Sequence, residues 1–285
     1  MDLAEAYRLA GEAAAAAADV QSALEVPRDP HAGAFFDVDN TIMRGASIFH
    51  LARGLAARKF FTWHDLRHFA WKQARFALGA EDMGDMASAT EAALSFVAGR
   101  RVEELQSLAE EIFDDVMATK LWPGTLALAQ GHLDAGQRVW LVTATPVELA
   151  TIMARRLGLT GALGTVSEIE DGIYTGRLVG QPLHGPAKVE AVRALAAREG
   201  LDLSRCAAYS DSANDIPMLS LVGNPCAVNP DSDLRAYARE HGWTVRDYRR
   251  KRMATHVGIP VGVVAGAAVG IGVGMSVAAI KKRHG

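Results

Sequence analysis

Gly33–Thr41 reads GAFFDVDNT, and the fold turns on it. The run Gly33–Val38 is short and apolar and ends in acid, the pattern of a central strand buried on both faces. Strand alternation points Asp37 and Asp39 to the same side of the chain. Further on, Arg138–Val142 (RVWLV), Arg205–Tyr209 and Pro225–Val228 are similar short apolar runs. Helical stretches open at Pro123, follow Pro146 to about Leu157, and cover Ala187–Glu199. Gly164–Glu170 and Ile173–Arg177, around Asp171-Gly172, predict a strand and a hairpin turn. Short strands alternating with helices predict an α/β fold, a doubly wound parallel sheet of Rossmann-like form. Ligands of such sheets bind beyond the carboxyl ends of the strands, and Asp37, Thr143 and Asp211 all fall at such ends.

Between the first two strands, residues 46–118 carry helical periodicity with breaks near Thr62, Gly79–Gly84 and Gly99. Four helices and no strand are expected there, an all-helical insertion in the α/β body. The expected organisation is an Ala-rich N-terminal helix (1–30), a core (31–45 and 119–243), the insertion (46–118) and a tail (244–285). The 285 residues suffice for a core and a smaller insert. With 49% hydrophobic and 22% charged residues, disordered and collagen-like classes drop out. Asp2, Glu5 and Glu12, with no strongly apolar run, rule against a secretory signal at the N-terminus. The net charge of −3 hides an acidic body and a basic tail, since residues 244–285 hold eight Lys/Arg against one Asp. An acidic body lacks the basic face that nucleic acids require. Cys206 and Cys226 sit in apolar runs without metal-ligand spacing and are expected in the core.

The polar residues at the strand ends come in a fixed order. Asp37-Val38-Asp39-Asn40-Thr41 follows the first strand and Thr143 the second. Lys188 opens a helix, and Ser210-Asp211-Ser212-Ala213-Asn214-Asp215 follows a later strand. This order resembles the four motifs of the haloacid dehalogenase superfamily: DxDxT, a lone Thr or Ser, a Lys, and a Dx3D acidic pair. The resemblance runs from about Gly33 to Trp243 and is nearest to the phosphoserine phosphatase-like branch, subfamily IB. GPAKVEAV, SDSANDIPML and NPDSDLR carry that branch's texture, and its members have an all-helical, C1-type cap inserted after the first motif. The resemblance implies a phosphoric monoester hydrolase with Asp37 as nucleophile and Asp39 as general acid and base. It implies Mg²⁺ held by Asp37, the backbone carbonyl of Asp39, and Asp211, with Asp215 steadying metal-bound water or Lys188. Thr143, Lys188 and Asn214 are implied to bind the phosphoryl group or nearby substrate atoms. An acid at position 39 separates phosphatases from dehalogenases, which lack it.

The residue types suit those roles. A carboxylate can attack phosphorus and split one difficult step into two. A positioned second acid can protonate the departing alkoxide and then activate water. A hard cation with oxygen ligands relieves repulsion between clustered carboxylates and a phosphate dianion. Substrate identity is less legible. Phosphoserine phosphatases carry a Glu about nine residues after the nucleophile, to pair the substrate ammonium, and Ala46 stands at that place. A small phosphorylated metabolite, phosphoserine-like but not strictly phosphoserine, is therefore expected. Trp63, His64, Arg67, His68, Trp71 and Arg75 share helical faces in the insertion; packing within the bundle is the favoured reading over substrate contact.

The tail adds a second expectation. Val257–Ile280 runs without a charge and is long enough as a helix to span a bilayer. Gly258, Gly262, Gly266, Gly270 and Gly274 form a stripe of the kind that lets helices self-associate in membranes. Five basic residues precede the segment and three follow it, which would keep the catalytic body cytoplasmic, on the inner face of the cell membrane. With such an anchor, a lipid-phosphate phosphatase of lysophosphatidate or phosphatidylglycerophosphate type is the alternative enzyme. A membrane scaffold on the same fold is the alternative without catalysis.

Overall fold

The computed structural model describes residues 29–60 and 97–249. The Ala-rich N-terminal stretch, the Trp63–Arg75 face and the glycine-striped segment 257–280 lie outside these residues. Among the described residues no helix is long and apolar enough to cross a membrane.

The first strand, β1 (Gly33–Phe36), is buried at all four positions. The chain then enters the insertion through α1 (Ser47–Ala57) and returns through α2 (Val102–Ile112). These are the two of its expected helices that lie within the described residues. A π-turn (Phe113–Met117) and a 3₁₀ turn (Ala118–Lys120) lead back to α3 (Pro123–Asp134), which has proline in its first turn, where a missing N–H costs nothing. Then come β2 (Arg138–Pro146), α4 (Val147–Arg156), β3 (Gly161–Thr165) and the hairpin of β4 (Ser167–Glu170) with β5 (Ile173–Leu178). The chain finishes through α5 (Pro186–Glu199), β6 (Ala207–Ser210), the short α6 (Ile216–Leu219), β7 (Asn224–Val228), α7 (Ser232–Glu240) and β8 (Thr244–Arg246).

Six strands form one parallel sheet in the order β3-β2-β1-β6-β7-β8. Alternation along the strands sorts its core into two. Phe36, Val139, Leu141 and Tyr209 pack on one face with Leu128 of α3, Leu149 and Met153 of α4, and Leu51, Leu55 and Ile112 from the insertion. Phe35, Trp140, Val142 and Ala208 pack on the other with Val192 and Leu195 of α5, Met218 and Leu219 of α6, and Leu234 of α7. Each fully buried Val, Leu, Ile, Phe or Met among them contributes about 1.5–3 kcal/mol relative to exposure. A buried polar trio on the first face is mutually paired. His132 of α3 meets the Tyr209 hydroxyl at 2.7 Å and Gln137 Oε1 at 2.6 Å, and burial lowers its pKa.

The insertion joins the core through a short two-stranded stalk. Met43 and Leu121 form an antiparallel bridge, flanked by Arg44 N–H to Lys120 O and Trp122 N–H to Ile42 O, both at 2.8 Å. The Arg44 guanidinium also lies 5.0 Å over the Trp122 ring.

Two expectations need correcting. The core does not stop at 243, because Thr244–Arg246 extends the sheet as its edge strand β8. Tyr248 N–H then bonds Asn229 Oδ1 at 2.8 Å, and the Tyr248 ring fills the space over Gly124, where a Cβ would come within 2.4 Å of it. The Gly164–Glu170 run divides between two sheets, β3 closing the main sheet and β4 pairing only with β5. The Asp171-Gly172 turn has positive φ at both residues, 50° and 77°, as a two-residue hairpin of this kind requires.

Candidate active site

Asp37 is the first residue past β1, and its N–H still reaches Tyr209 O on β6 at 2.9 Å, so the acid sits over the middle of the sheet. Asn40 then takes a left-handed conformation (φ 57°), which asparagine tolerates, and its side chain accepts from Gly45 N–H at 2.9 Å. That bend brings the chain back under itself, with the N–H groups of Ile42 and Met43 both bonded to Val38 O.

Lys188 comes from the first turn of α5, just past Gly185, whose φ of 51° suits glycine. The ammonium is buried (3% exposed) and donates to Asp37 Oδ1 at 2.6 Å and to Asp215 Oδ2 at 2.8 Å. Ser210 Oγ also donates to Asp215 Oδ2, at 2.7 Å. Three segments distant in sequence thus converge on one buried cation.

The electrostatics are unbalanced toward negative charge. Burial pushes Asp37 up to about 7; Lys188 opposes the shift, while Asp215 and Asp39 reinforce it. Burial pushes Asp211 up to about 7 as well, with Asp215 and Asp231 adding to it. Burial alone would lower the Lys188 pKa, but Asp37 and Asp215 together hold it above the ordinary lysine range. Asp211 Oδ1 receives a long, 3.4 Å hydrogen bond from Thr41 Oγ1. Its loop is braced by Asp231, whose N–H donates to Asp211 O and whose carboxylate accepts from Ala213 N–H and caps α7 through Leu234 N–H.

Asp39 is held differently. Its Oδ1 accepts from Ser47 N–H at 2.8 Å and from Ser47 Oγ at 2.5 Å. Ser47 Oγ touches Thr145 Oγ1 at 2.6 Å, and Thr145 N–H donates to Thr143 Oγ1 at 3.1 Å. Thr143 is thereby buried on the same side as Asp39. Asn214 is the exception among the expected residues: it is exposed, and its backbone N–H donates to Ser212 Oγ at 3.2 Å. Ser47, Thr145, Ser210 and Asp231 emerge only from the geometry. Ser210 and Asp231 fall inside SDSANDIPML and NPDSDLR, but no spacing in the sequence signals Ser47 or Thr145.

The donor set suits a hard divalent cation. It offers only oxygens, and its raised carboxylates mark a place short of positive charge. Among the described residues no three His, Cys, Asp or Glu side chains form a metal cluster, so such an ion needs a backbone carbonyl, water or substrate beside Asp37 and Asp211.

A parallel sheet with an acid pair after its central strand and a buried lysine between acids defines a hydrolase of one superfamily. The profile of the haloacid dehalogenase-like hydrolases matches residues 34–220, and the chain belongs to that family as a phosphoric monoester hydrolase. Among its relatives, a Mycobacterium tuberculosis protein named phosphoserine phosphatase SerB1 is 59% identical over 235 residues, covering 82% of this chain and 76% of that one. A Streptomyces azureus protein named for inhibition of morphological differentiation is 33% identical over 222 residues, covering 78% and 80%. The crystal structure of a Bordetella pertussis protein of unknown function is 33% identical with a TM-score of 0.66, covering 76% of this chain and 98% of that chain. Family membership sets aside the scaffold alternative.

Proposed function

We propose that the protein hydrolyses a small phosphorylated metabolite, phosphoserine-like in character, through an aspartyl-phosphate on Asp37. The observation that carries this reading is the buried Lys188, bonded at once to Asp37 and Asp215. A lysine so placed holds the nucleophile in line and offers its remaining donor capacity to phosphoryl oxygens. Asp37 attacks phosphorus as the ester bond breaks, and Asp39 gives its proton to the departing oxygen. Asp39 then takes a proton from water, which attacks the same phosphorus and releases the Asp37 carboxylate. Thr143 and Lys188 bind the phosphoryl oxygens, and Asn214, exposed at the rim, contacts the substrate once it is bound. Asp37, Asp211 and the carbonyl of Asp39 would hold Mg²⁺, with Asp215 steadying the arrangement through Lys188. When bound, that ion supplies charge neutralisation for the dianion and the transition state.

The name of the 59% identical relative supports an amino-acid phosphate. Ala46, where an ammonium-pairing Glu would stand, supports a broader preference than phosphoserine alone. Phosphate release from phosphoserine and a panel of small phosphomonoesters, with Mg²⁺ and with chelator, tests the reading. Hydrolysis lost on chelation and in Asp37→Asn is expected; normal turnover by Asp37→Asn would falsify the nucleophile. Membrane attachment through residues 257–280 rests on sequence alone, and a carbonate wash of cell membranes that frees the full-length protein would sink it.

A further inference from the structure

We propose that Ser47 is the positioning residue for Asp39, a role that rests on the reading of Asp39 as general acid and base. Ser47 opens α1 and is fully buried, though it is a hydroxyl residue at the edge of a reaction site. Its N–H and its hydroxyl both donate to Asp39 Oδ1, at 2.8 and 2.5 Å. A hydroxyl has one hydrogen, so at the 2.6 Å contact with Thr145 the threonine is the donor. The direction of the chain is therefore Thr145 to Ser47 to Asp39. It links three segments: the loop after β1, the first turn of the insertion, and β2 just past Thr143.

A carboxylate on a loop can turn about its last torsion. Two donors on one oxygen fix its plane, and a donor that is itself an acceptor binds more strongly. Among the described residues nothing donates to Asp39 Oδ2. That oxygen is left to exchange a proton with the ester oxygen as the bond to phosphorus breaks, and later with water. A misplacement of about 1 Å in such a group can cost about 100-fold in rate. The backbone bond from Ser47 N–H also satisfies a helix N–H that has no partner within α1. The hydroxyl bond is not needed for that, so it can be removed alone.

The test compares two esters of similar shape, phenyl phosphate and 4-nitrophenyl phosphate. The phenolate needs a proton to leave well, whereas nitrophenolate departs as the anion. The ratio of their kcat/KM values reports every step through departure of the phenol, whichever step limits kcat. Ser47→Ala is expected to lower kcat/KM for phenyl phosphate about tenfold or more and for 4-nitrophenyl phosphate less than about threefold, a part of the 10²–10⁴ typical of a general acid. Ser47→Thr, which keeps the hydroxyl, should restore the wild-type ratio. Calorimetric affinities for Mg²⁺ and for inorganic phosphate should stay within about twofold of wild type, which a general loosening of the site would not allow. Asp39→Asn is the control. If it leaves the ratio of the two esters unchanged, the reading of Asp39 as acid fails. If Asp39→Asn depresses phenyl phosphate selectively while Ser47→Ala leaves the ratio as in wild type, or lowers both esters equally, the proposal for Ser47 is overturned. Should Ser47→Ala fail to fold, Ser47→Cys, nearly isosteric with a weak donor, is read on the same ratio with the same consequences.

Discussion

Lys188 has one positive charge to set against Asp37 and Asp215, and Asp39 and Asp211 stand close enough to raise their neighbours or be raised by them. The protein therefore holds Asp37 at a cost in stability. Asp37 goes from an ordinary 3.8 to about 7 in the fold, so the folded state prefers it protonated. That contribution is intact below about 4 and is lost as pH rises to about 7. Without metal, Asp37→Asn should then be more stable than wild type by about 1–3 kcal/mol at pH 8, with the gap closing toward pH 4. Denaturant midpoints with chelator present check it, and a destabilised variant at pH 8 would show that the Lys188 bond outweighs burial. The family motifs made these acids readable in the sequence, because chemistry restricts the residue types at four ordered places. Ser47 and Thr145 were not readable in this way. A single hydroxyl at a helix start is common, and only the fold brings position 47 to 39 and 145.

At the level of elements, α1 and α2 pack so closely that a Cβ on Gly54 would lie 2.5 Å from Ile112 Cγ2. Gly54→Ala removes a helix-weakening glycine, a gain of about 1 kcal/mol in isolation. Overpacking against a fully buried isoleucine costs about 1–3 kcal/mol. The net expectation is a lower melting temperature, and a rise would mean that the two helices separate easily. The strands next to Asp37 were legible, since β1, β2 and β6 are apolar on both faces. β8 was not, because an edge strand of Thr244, Val245 and Arg246 has one apolar residue and begins a basic run. β3 was blurred for a related reason: GALGT has little apolar bulk, and Gly161 is required where Trp140 crosses it, 2.4 Å from any Cβ.

For the whole molecule, the sheet sets where the chain can be cut. A protein ending after Arg249 keeps β8, the Tyr248 contact with Gly124 and the Arg235–Asp247 ion pair, and it should retain wild-type turnover of soluble phosphomonoesters. One ending after Trp243 loses β8 and bares the edge of β7. It should melt several degrees lower, at about 2–4 °C per kcal/mol for a chain of this size, and aggregate more readily. Equal melting temperatures for the two truncations would show that β8 contributes little. The stalk at Met43 and Leu121 has a mechanical meaning. A push or twist of the insertion reaches the core through the packing of Leu51, Leu55 and Ile112 and through this joint, and one strand of the joint is continuous with the loop bearing Asp39. Torque on the joint runs along the backbone to Asp39, whereas the sheet and Lys188 hold Asp37 in place. On the proposed role of Asp39 as acid, substitutions that shift this joint should slow leaving-group departure more than they weaken phosphate binding.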